Sequence, residues 1–237
     1  MTSAYYSDGL ITLYHGDCRE VTEWLGADVL VTDPPYGIDH ASNWDGPYKS
    51  EVIANDDSVT VRDEVLARWG SRPSLVFGSW KCATPPGTTT CLVWDKGDAA
   101  GMGDLSIPWK PNWELIYVQG GGFRGSRDSG VLKGNVVTWA SKGRTHPNQK
   151  PTGLLVTLLA KCPRGVVADP FAGSGSTLVA AKQLGLPSIG VELEERFCEV
   201  TARRLDQGVL MFDGVGGFGT PRPGDRHRWG VAYAVAE

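Results

Sequence analysis

The chain has 237 residues, 41% of them hydrophobic, which is enough to bury one substantial core and sits at the upper end of what a single domain needs. Its longest apolar runs, at residues 28–31 and 165–168, fall far short of the roughly 20 residues of a membrane span, and no basic-then-apolar leader opens the sequence, so a soluble cytoplasmic protein is expected. A net charge of -4 speaks against a histone-like polycation, and five scattered cysteines (Cys18, Cys82, Cys91, Cys162, Cys198) with no C-x-x-C pair argue against a disulfide framework and a zinc site.

In chain order, strand-like runs fall at residues 10–14, 29–32, 74–77, 90–94, 114–118, 136–139, 166–169 and 188–192. Helical patterns fall at 19–25, 59–69, 152–161, 176–184 and 194–205. Short strands interspersed with helices predict an α/β fold: a mostly parallel seven- to eight-stranded sheet with helices on both faces. The last helix shows the amphipathic spacing directly, with Phe197, Val200, Thr201 and Leu205 on one side and Glu194, Glu195, Arg203 and Arg204 elsewhere. Three stretches, 37–57, 97–111 and 120–134, are polar or glycine-rich and long enough to suggest functional loops. The expected organisation is one domain over 1–212, followed by a Gly- and Pro-rich tail over 213–237 that reads as a partly ordered terminus.

The first chemical signal is residues 28–32, a buried strand that runs straight into Asp33-Pro34-Pro35-Tyr36-Gly37. Two prolines fix φ and remove two backbone donors, so the strand stops and the Asp33 carboxylate and Pro34 carbonyl face outward as acceptors. Such acceptors suit an exocyclic aromatic amine, whose lone pair is delocalised into its ring. Hydrogen bonds from both N–H groups would localise that lone pair and aim it at a methyl donor. Tyr36 would supply a stacking surface for a base flipped out of a duplex.

Further along, residues 110–150 hold Lys110, Arg124, Arg127, Lys133, Lys142, Arg144 and Lys150 against only Glu114 and Asp128, a local excess of five positive charges on an acidic chain. Arg124, Arg127, Lys133 and Arg144 suit phosphates, and an Arg can also read guanine.

The second signal is residues 166–177, which read as strand, glycine turn and helix, with Asp169, Phe171, Gly173 and Gly175 at the turn and a second strand ending in Glu192. Glycines admit a ligand close to backbone, and an acidic residue at the next strand end accepts from ribose hydroxyls. A dinucleotide site shares this plan, but the third glycine is missing: position 178 is Leu. S-adenosylmethionine (SAM) has no pyrophosphate and fits that gap.

With both halves together, the sequence resembles the N4-cytosine/N6-adenine DNA methyltransferase family in its permuted order, with the catalytic motif before the SAM motif. The matching elements, in order, are Gly16-Asp17-Cys18, Asp33-Pro34-Pro35-Tyr36-Gly37, His146-Pro147-Asn148-Gln149-Lys150-Pro151, Asp169-Pro170-Phe171-Ala172-Gly173-Ser174-Gly175 and Gly190-Val191-Glu192, spanning roughly residues 11–207. The resemblance implies a SAM-dependent enzyme on double-stranded DNA in which Asp33, Pro34, Pro35 and Tyr36 form the catalytic motif. It also implies that Asp17 approaches the SAM adenine, that Asp169, Phe171, Gly173 and Gly175 line the cofactor, and that Glu192 holds the ribose. Lys150 would flank the cofactor, and His146 would have a structural role. The Asp at the head of the motif looks more like adenine-N6 than cytosine-N4 enzymes. Target recognition is expected in the variable middle, 97–145, which is short enough to suggest a short recognition site or help from a second subunit. The reading leaves room for a homodimer and a cognate restriction nuclease, and implies no membrane and no metal. The competing readings are cytosine-N4 methylation, a DNA-binding module that has lost turnover, and a nicotinamide-dependent Rossmann enzyme.

Overall fold

A computed structural model of the protein describes residues 2–37, 58–97, 105–134 and 149–207. The strands are β1 (Tyr6–Ser7), β2 (Ile11–His15), β3 (Val29–Thr32), β4 (Ser74–Gly78), β5 (Thr88–Asp95), β6 (Trp113–Gln119), β7 (Val131–Lys133), β8 (Val167–Asp169) and β9 (Ser188–Glu192). The helices are α1 (Thr60–Trp69), α2 (Thr152–Leu159), α3 (Ser176–Gln183) and α4 (Glu195–Asp206). All nine strands form one sheet in the order β1-β2-β9-β8-β3-β4-β6-β5-β7. Five neighbouring pairs are parallel, and the antiparallel ones are β1/β2, β4/β6 and β5/β6.

Side chains alternate between the two faces as the pleat requires. Val29, Val31, Leu75, Phe77, Ile116 and Val118 pack under α2 and α3 with Leu154, Leu155, Leu158 and Ala181. Their strand neighbours Leu30, Val76 and Tyr117 turn to the other face, onto Trp24, Val65, Leu66 and Trp69. Ile11 and Leu13 of β2 extend the first layer toward Leu178 of α3 and Leu205 of α4. Helices therefore cover both faces of a mostly parallel sheet, as expected, and the sheet has nine strands where seven to eight were predicted. No helix among the described residues is long and apolar enough to cross a membrane.

One expected element differs. Residues 19–25 do not form an α-helix; only a 3-10 turn, Glu23–Gly26, is present, because Thr22 offers no side-chain cap and the chain must enter β3 three residues later. The described part of the segment 97–145 supplies β6, which lies between β4 and β5, and the unanticipated edge strand β7. The predicted strand at 136–139 and the tail 213–237 lie outside the described residues.

The topology puts the chemistry at one edge. Strands β3, β4, β8 and β9 run parallel, so the turns after Thr32, Gly78, Asp169 and Glu192 emerge together. Strand β6 runs the other way, with Leu115 opposite Gly78 and Gln119 opposite Ser74, so its first residues reach the same edge. Arg72 holds the opposite edge. Its guanidinium stacks 3.5 Å over the Trp69 ring and its Nη1 donates to the carbonyls of Leu25 (2.8 Å) and Ala27 (2.9 Å). Trp69 in turn stacks on Trp24 at 6.1 Å. Lysine cannot reproduce that planar fork. Arg72→Lys is expected to lower stability by about 1–2 kcal/mol in urea unfolding, with the slope unchanged.

Candidate active site

The Asp-Pro-Pro-Tyr turn sits at the end of β3, in the middle of the sheet. Asp33 is partly exposed, and its carboxylate is fully engaged: Tyr36 donates from its hydroxyl to Oδ1 at 2.6 Å, and Lys150 donates from Nζ to Oδ2 at 2.6 Å. Lys150 enters from the segment before α2 and is itself buried. Its Nζ also lies 3.3 Å from Tyr36 Oη and 3.3 Å from Glu114 Oε2. Glu114, at the start of β6, pairs its other oxygen, Oε1, with Lys96, which follows β5. Two ammonium groups and two carboxylates thus close a charge-balanced cluster around the Tyr36 hydroxyl.

Protonation follows from that geometry. Burial opposes charge on Lys150, but Asp33 and Glu114 more than offset it and raise its pKa. Burial likewise opposes charge on Glu114, and the ammonium groups of Lys150 and Lys96 outweigh it and lower its pKa. Burial and the two neighbouring carboxylates push the Tyr36 hydroxyl well above its ordinary range, so it stays a donor. The Tyr36 ring packs against the core cluster that contains Phe77, and its carbonyl accepts from the Cys82 thiol.

The second turn follows β8, the strand beside β3. Its Asp169 is buried: Oδ1 accepts from Thr32 Oγ1 at 2.7 Å and from the Phe171 amide at 3.2 Å, and Thr177 supports it as well. Burial pushes the Asp169 carboxyl up to about 6. Sequence reasoning placed Asp169 against the cofactor; its carboxylate instead faces inward and ties the two turns together. Glu192 ends β9 and is buried, with Oε2 accepting from the Gly173 amide and Oε1 from the Glu194 amide, each at 2.7 Å.

The two glycines of the turn differ. A Cβ on Gly173 (φ +53°) would meet only the Phe171 carbonyl, at 4.0 Å, so this stretch of backbone faces open space. A Cβ on Gly175 (φ +76°) would lie 2.4 Å from Cγ2 of Thr201 in α4. Gly175, expected at the cofactor, is required by helix packing. The open cradle over Gly173, bordered by the Glu192 carboxylate, fits a nucleoside cofactor whose ribose seeks acceptors and whose body lies against bare backbone.

The remaining expected residues are placed as follows. Asp17 lies just past β2; the Gly16 amide donates to the Glu192 carbonyl, so Asp17 shares the cofactor edge. Its carboxylate is bridged by Arg19, which holds its pKa down. Lys150, expected beside the cofactor, reaches Asp33 instead. Lys133 ends β7 opposite Asp95, at the catalytic edge. Arg124 does not lie there: it follows β6 at the opposite edge, where its amide donates to the Lys161 carbonyl and its Nε to the Cys162 carbonyl, both at 2.9 Å. Arg127 sits in the same far-edge stretch, between Ser126 and Asp128, both of which Lys161 contacts. Neither arginine is at the turn that would meet a target base. His146 and Arg144 lie outside the described residues. Sequence reasoning missed Thr32, Lys96, Glu114 and Thr201; Glu114 is visible in sequence only as one of two acids in a basic stretch.

The comparisons bear on the family and the fold. The family model described as "DNA methylase" for N6/N4 enzymes matches residues 102–203. Type II methyltransferase M2.DpnII of Streptococcus pneumoniae is 41% identical, over 87% of this chain and 93% of its own length. Type II methyltransferase M2.LlaDCHI of Lactococcus lactis subsp. cremoris is 26% identical, over 88% and 94%. Among solved structures, the M1.HpyAVI–SAM complex superimposes with a TM-score of 0.61 at 19% identity, covering 83% of this chain and 99% of that one. PvuII DNA methyltransferase, cytosine-N4-specific, gives 0.61 at 12% identity, covering 87% and 96%. The fold and the two turns define a SAM-dependent methyltransferase. The chain belongs to the N6/N4 DNA methylase family.

Two substitutions separate the glycines. Gly173→Ala is expected to keep the fold at a cost of about 1 kcal/mol for a left-handed alanine and to weaken SAM binding; Gly175→Ala should cost about 3 kcal/mol, from that backbone term plus overpacking against Thr201. Chemical unfolding and calorimetric SAM titration of both variants check this. Asp169→Asn removes a titration. The folded carboxyl is raised above the unfolded value of about 3.9, so the folded chain holds the extra proton and stability falls as pH rises between the two. The wild-type minus Asp169→Asn stability difference should therefore decline by about 2–3 kcal/mol from pH 4 to pH 7, read by urea melts at stepped pH.

Proposed function

We propose that the chain methylates the N6 amine of adenine in a short duplex recognition sequence, by flipping the base into the site and transferring the methyl directly. The observation that carries this is the Thr32–Asp169 hydrogen bond, which fixes an acceptor turn beside a ligand cradle at adjacent strand ends. Bound SAM would supply an electrophilic methyl on a sulfonium sulfur; Glu192 and the Gly173 backbone are the residues to hold it, with Asp17 and Phe171 at the same edge.

The chain's own residues do the rest. Asp33, Pro34, Pro35 and Tyr36 make up the catalytic turn. The Asp33 carboxylate takes an N–H of the target amine, and the Pro34 carbonyl takes the other. Positive charge grows on the amine nitrogen as the bond forms, and a fixed carboxylate stabilises that charge more than it stabilises the neutral amine, which is what lowers a barrier. Lys150 is held protonated by two carboxylates and cannot receive the proton the amine sheds, which must leave through Asp33 to solvent. The Tyr36 ring offers the base a stacking face. Lys133, at the same edge, is suited to a phosphate near the flipped base.

The test is incubation with tritiated-methyl SAM and unmethylated genomic DNA, then digestion to nucleosides and mass analysis. Labelled N6-methyladenine is the expected product. Labelled N4-methylcytosine would keep the acceptor chemistry and overturn the choice of base; absence of label with SAM bound would overturn the reading. Asp33→Ala should lower kcat at least about 100-fold with SAM affinity within about threefold of wild type, because Asp33 stands at the acceptor turn and not in the Gly173 cradle.

A further inference from the structure

The Asp33 carboxylate is already occupied by a nitrogen donor. Lys150 Nζ stands 2.6 Å from Oδ2 and 3.3 Å from Tyr36 Oη, and the Tyr36 hydroxyl takes Oδ1. An incoming amine must donate to that same carboxylate, whose two oxygens offer about four acceptor sites in all, so it meets Lys150 as a competitor for the Oδ2 seat. Lys150 is 8% exposed and cannot simply swing into water. A second acceptor is ready for it: Glu114 Oε2 lies 3.3 Å from Nζ, on a side chain that is itself 17% exposed.

We propose that Lys150 is a stand-in for the target amine, seated on Asp33 while the site is free of a base and shifted onto Glu114 when one enters, with Glu114 and Lys96 as the positioning residues of that exchange. This rests on the amine-methylation reading given above. Lys96 has a definite part: it pairs Glu114 Oε1, which turns the Oε2 edge toward Lys150. With Lys96 present, two cations face two carboxylates, and a neutral amine can enter without leaving a buried charge unmatched. Removing one partner of such a cluster is costly, while exchanging one donor for another is cheap. Tyr36 Oη lies 3.4 Å from Glu114 Oε2 and 2.6 Å from Asp33 Oδ1, so its hydroxyl bridges the two seats. The exchange moves an ammonium and no proton, since Lys150 lies against a carboxylate at both ends. It also keeps Asp33 oriented and desolvated before the base arrives, a form of preorganisation.

Glu114→Gln keeps the shape of the second seat and removes its charge. Lys150 then stays on Asp33 and competes with the base, so KM for unmethylated genomic DNA should rise roughly tenfold while KM for SAM stays within about twofold. Adding Lys150→Met removes the competitor, and the double variant should have a lower DNA KM than Glu114→Gln alone. Two merely structural losses would add instead. A double variant with the higher DNA KM, or a Glu114→Gln protein whose SAM KM rises as far as its DNA KM, overturns the proposal.

A second readout needs no turnover. The Lys150 Nζ resonance in a lysine 15N spectrum, identified by its loss in Lys150→Met, should shift on Asp33→Asn in the free protein. With DNA and a non-reactive SAM analogue bound, it should shift on Glu114→Gln instead. A resonance that still follows Asp33 with DNA bound overturns the exchange even where wild type methylates DNA. A wild type that makes no methylated base while its resonance changes seats overturns the amine-methylation reading and leaves the exchange standing.

Discussion

One buried hydrogen bond, from Thr32 to Asp169, carries the geometry of the site. The two residues are 137 positions apart in sequence and end adjacent central strands, β3 and β8. The acceptor turn begins at the next residue after Thr32, and Asp169 also holds the Phe171 amide that starts the glycine turn. A shift of either strand along the other would therefore move the proposed amine acceptor and the proposed cofactor cradle relative to each other. Direct transfer between two bound molecules is steeply sensitive to that separation. Placing the bond out of water strengthens it and makes its loss expensive, which is why a carboxyl destabilised by burial is tolerated there.

The glycine turn is built from behind. Thr201 Oγ1 donates to the Gly173 carbonyl at 3.0 Å, Arg204 donates to the Ser174 carbonyl, and Glu192 takes the Gly173 amide. Helix α4 thus supplies a rigid floor, and the space above Gly173 is left to the ligand. The charge cluster does the corresponding work for the acceptor turn. It fixes Asp33 from the side of α2 and β6, while the prolines fix it from the backbone. The two halves of the site share one edge of the sheet.

Much of this was legible in the sequence, for identifiable reasons. The strands at 29–32 and 188–192 were bounded correctly because apolar runs meet an abrupt stop, prolines in one case and an acidic residue in the other. Gly173, Glu192 and the Asp-Pro-Pro-Tyr turn carry their chemistry in residue type. The contacts that complete the site do not. Thr32 and Asp169 look like an ordinary strand residue and a ligand candidate until their strands are known to be neighbours. Glu114 lies in β6 and Lys96 just past β5, antiparallel neighbours whose pairing no local pattern announces. Gly173 and Gly175 read alike in sequence and differ only in what lies beyond a Cβ, which depends on helix packing far along the chain.

Charge shows the same limit most clearly. The excess of positive residues between 110 and 150 reads as one basic surface, yet β6 reverses direction through it. Arg124 and Arg127 are carried to the far edge, where Arg124 satisfies the carbonyl of Cys162 and a neighbouring backbone pair holds its loop. Lys150 and Lys96 are spent inside the active site on Asp33 and Glu114. Lys133 ends β7 at the catalytic edge, and Lys81 follows β4 there with its Nζ 6.0 Å from the Trp80 ring. Among the described residues, the basic stretch is thus divided between the far edge, the charge cluster and the end of β7, and does not form one continuous surface for a polyanion.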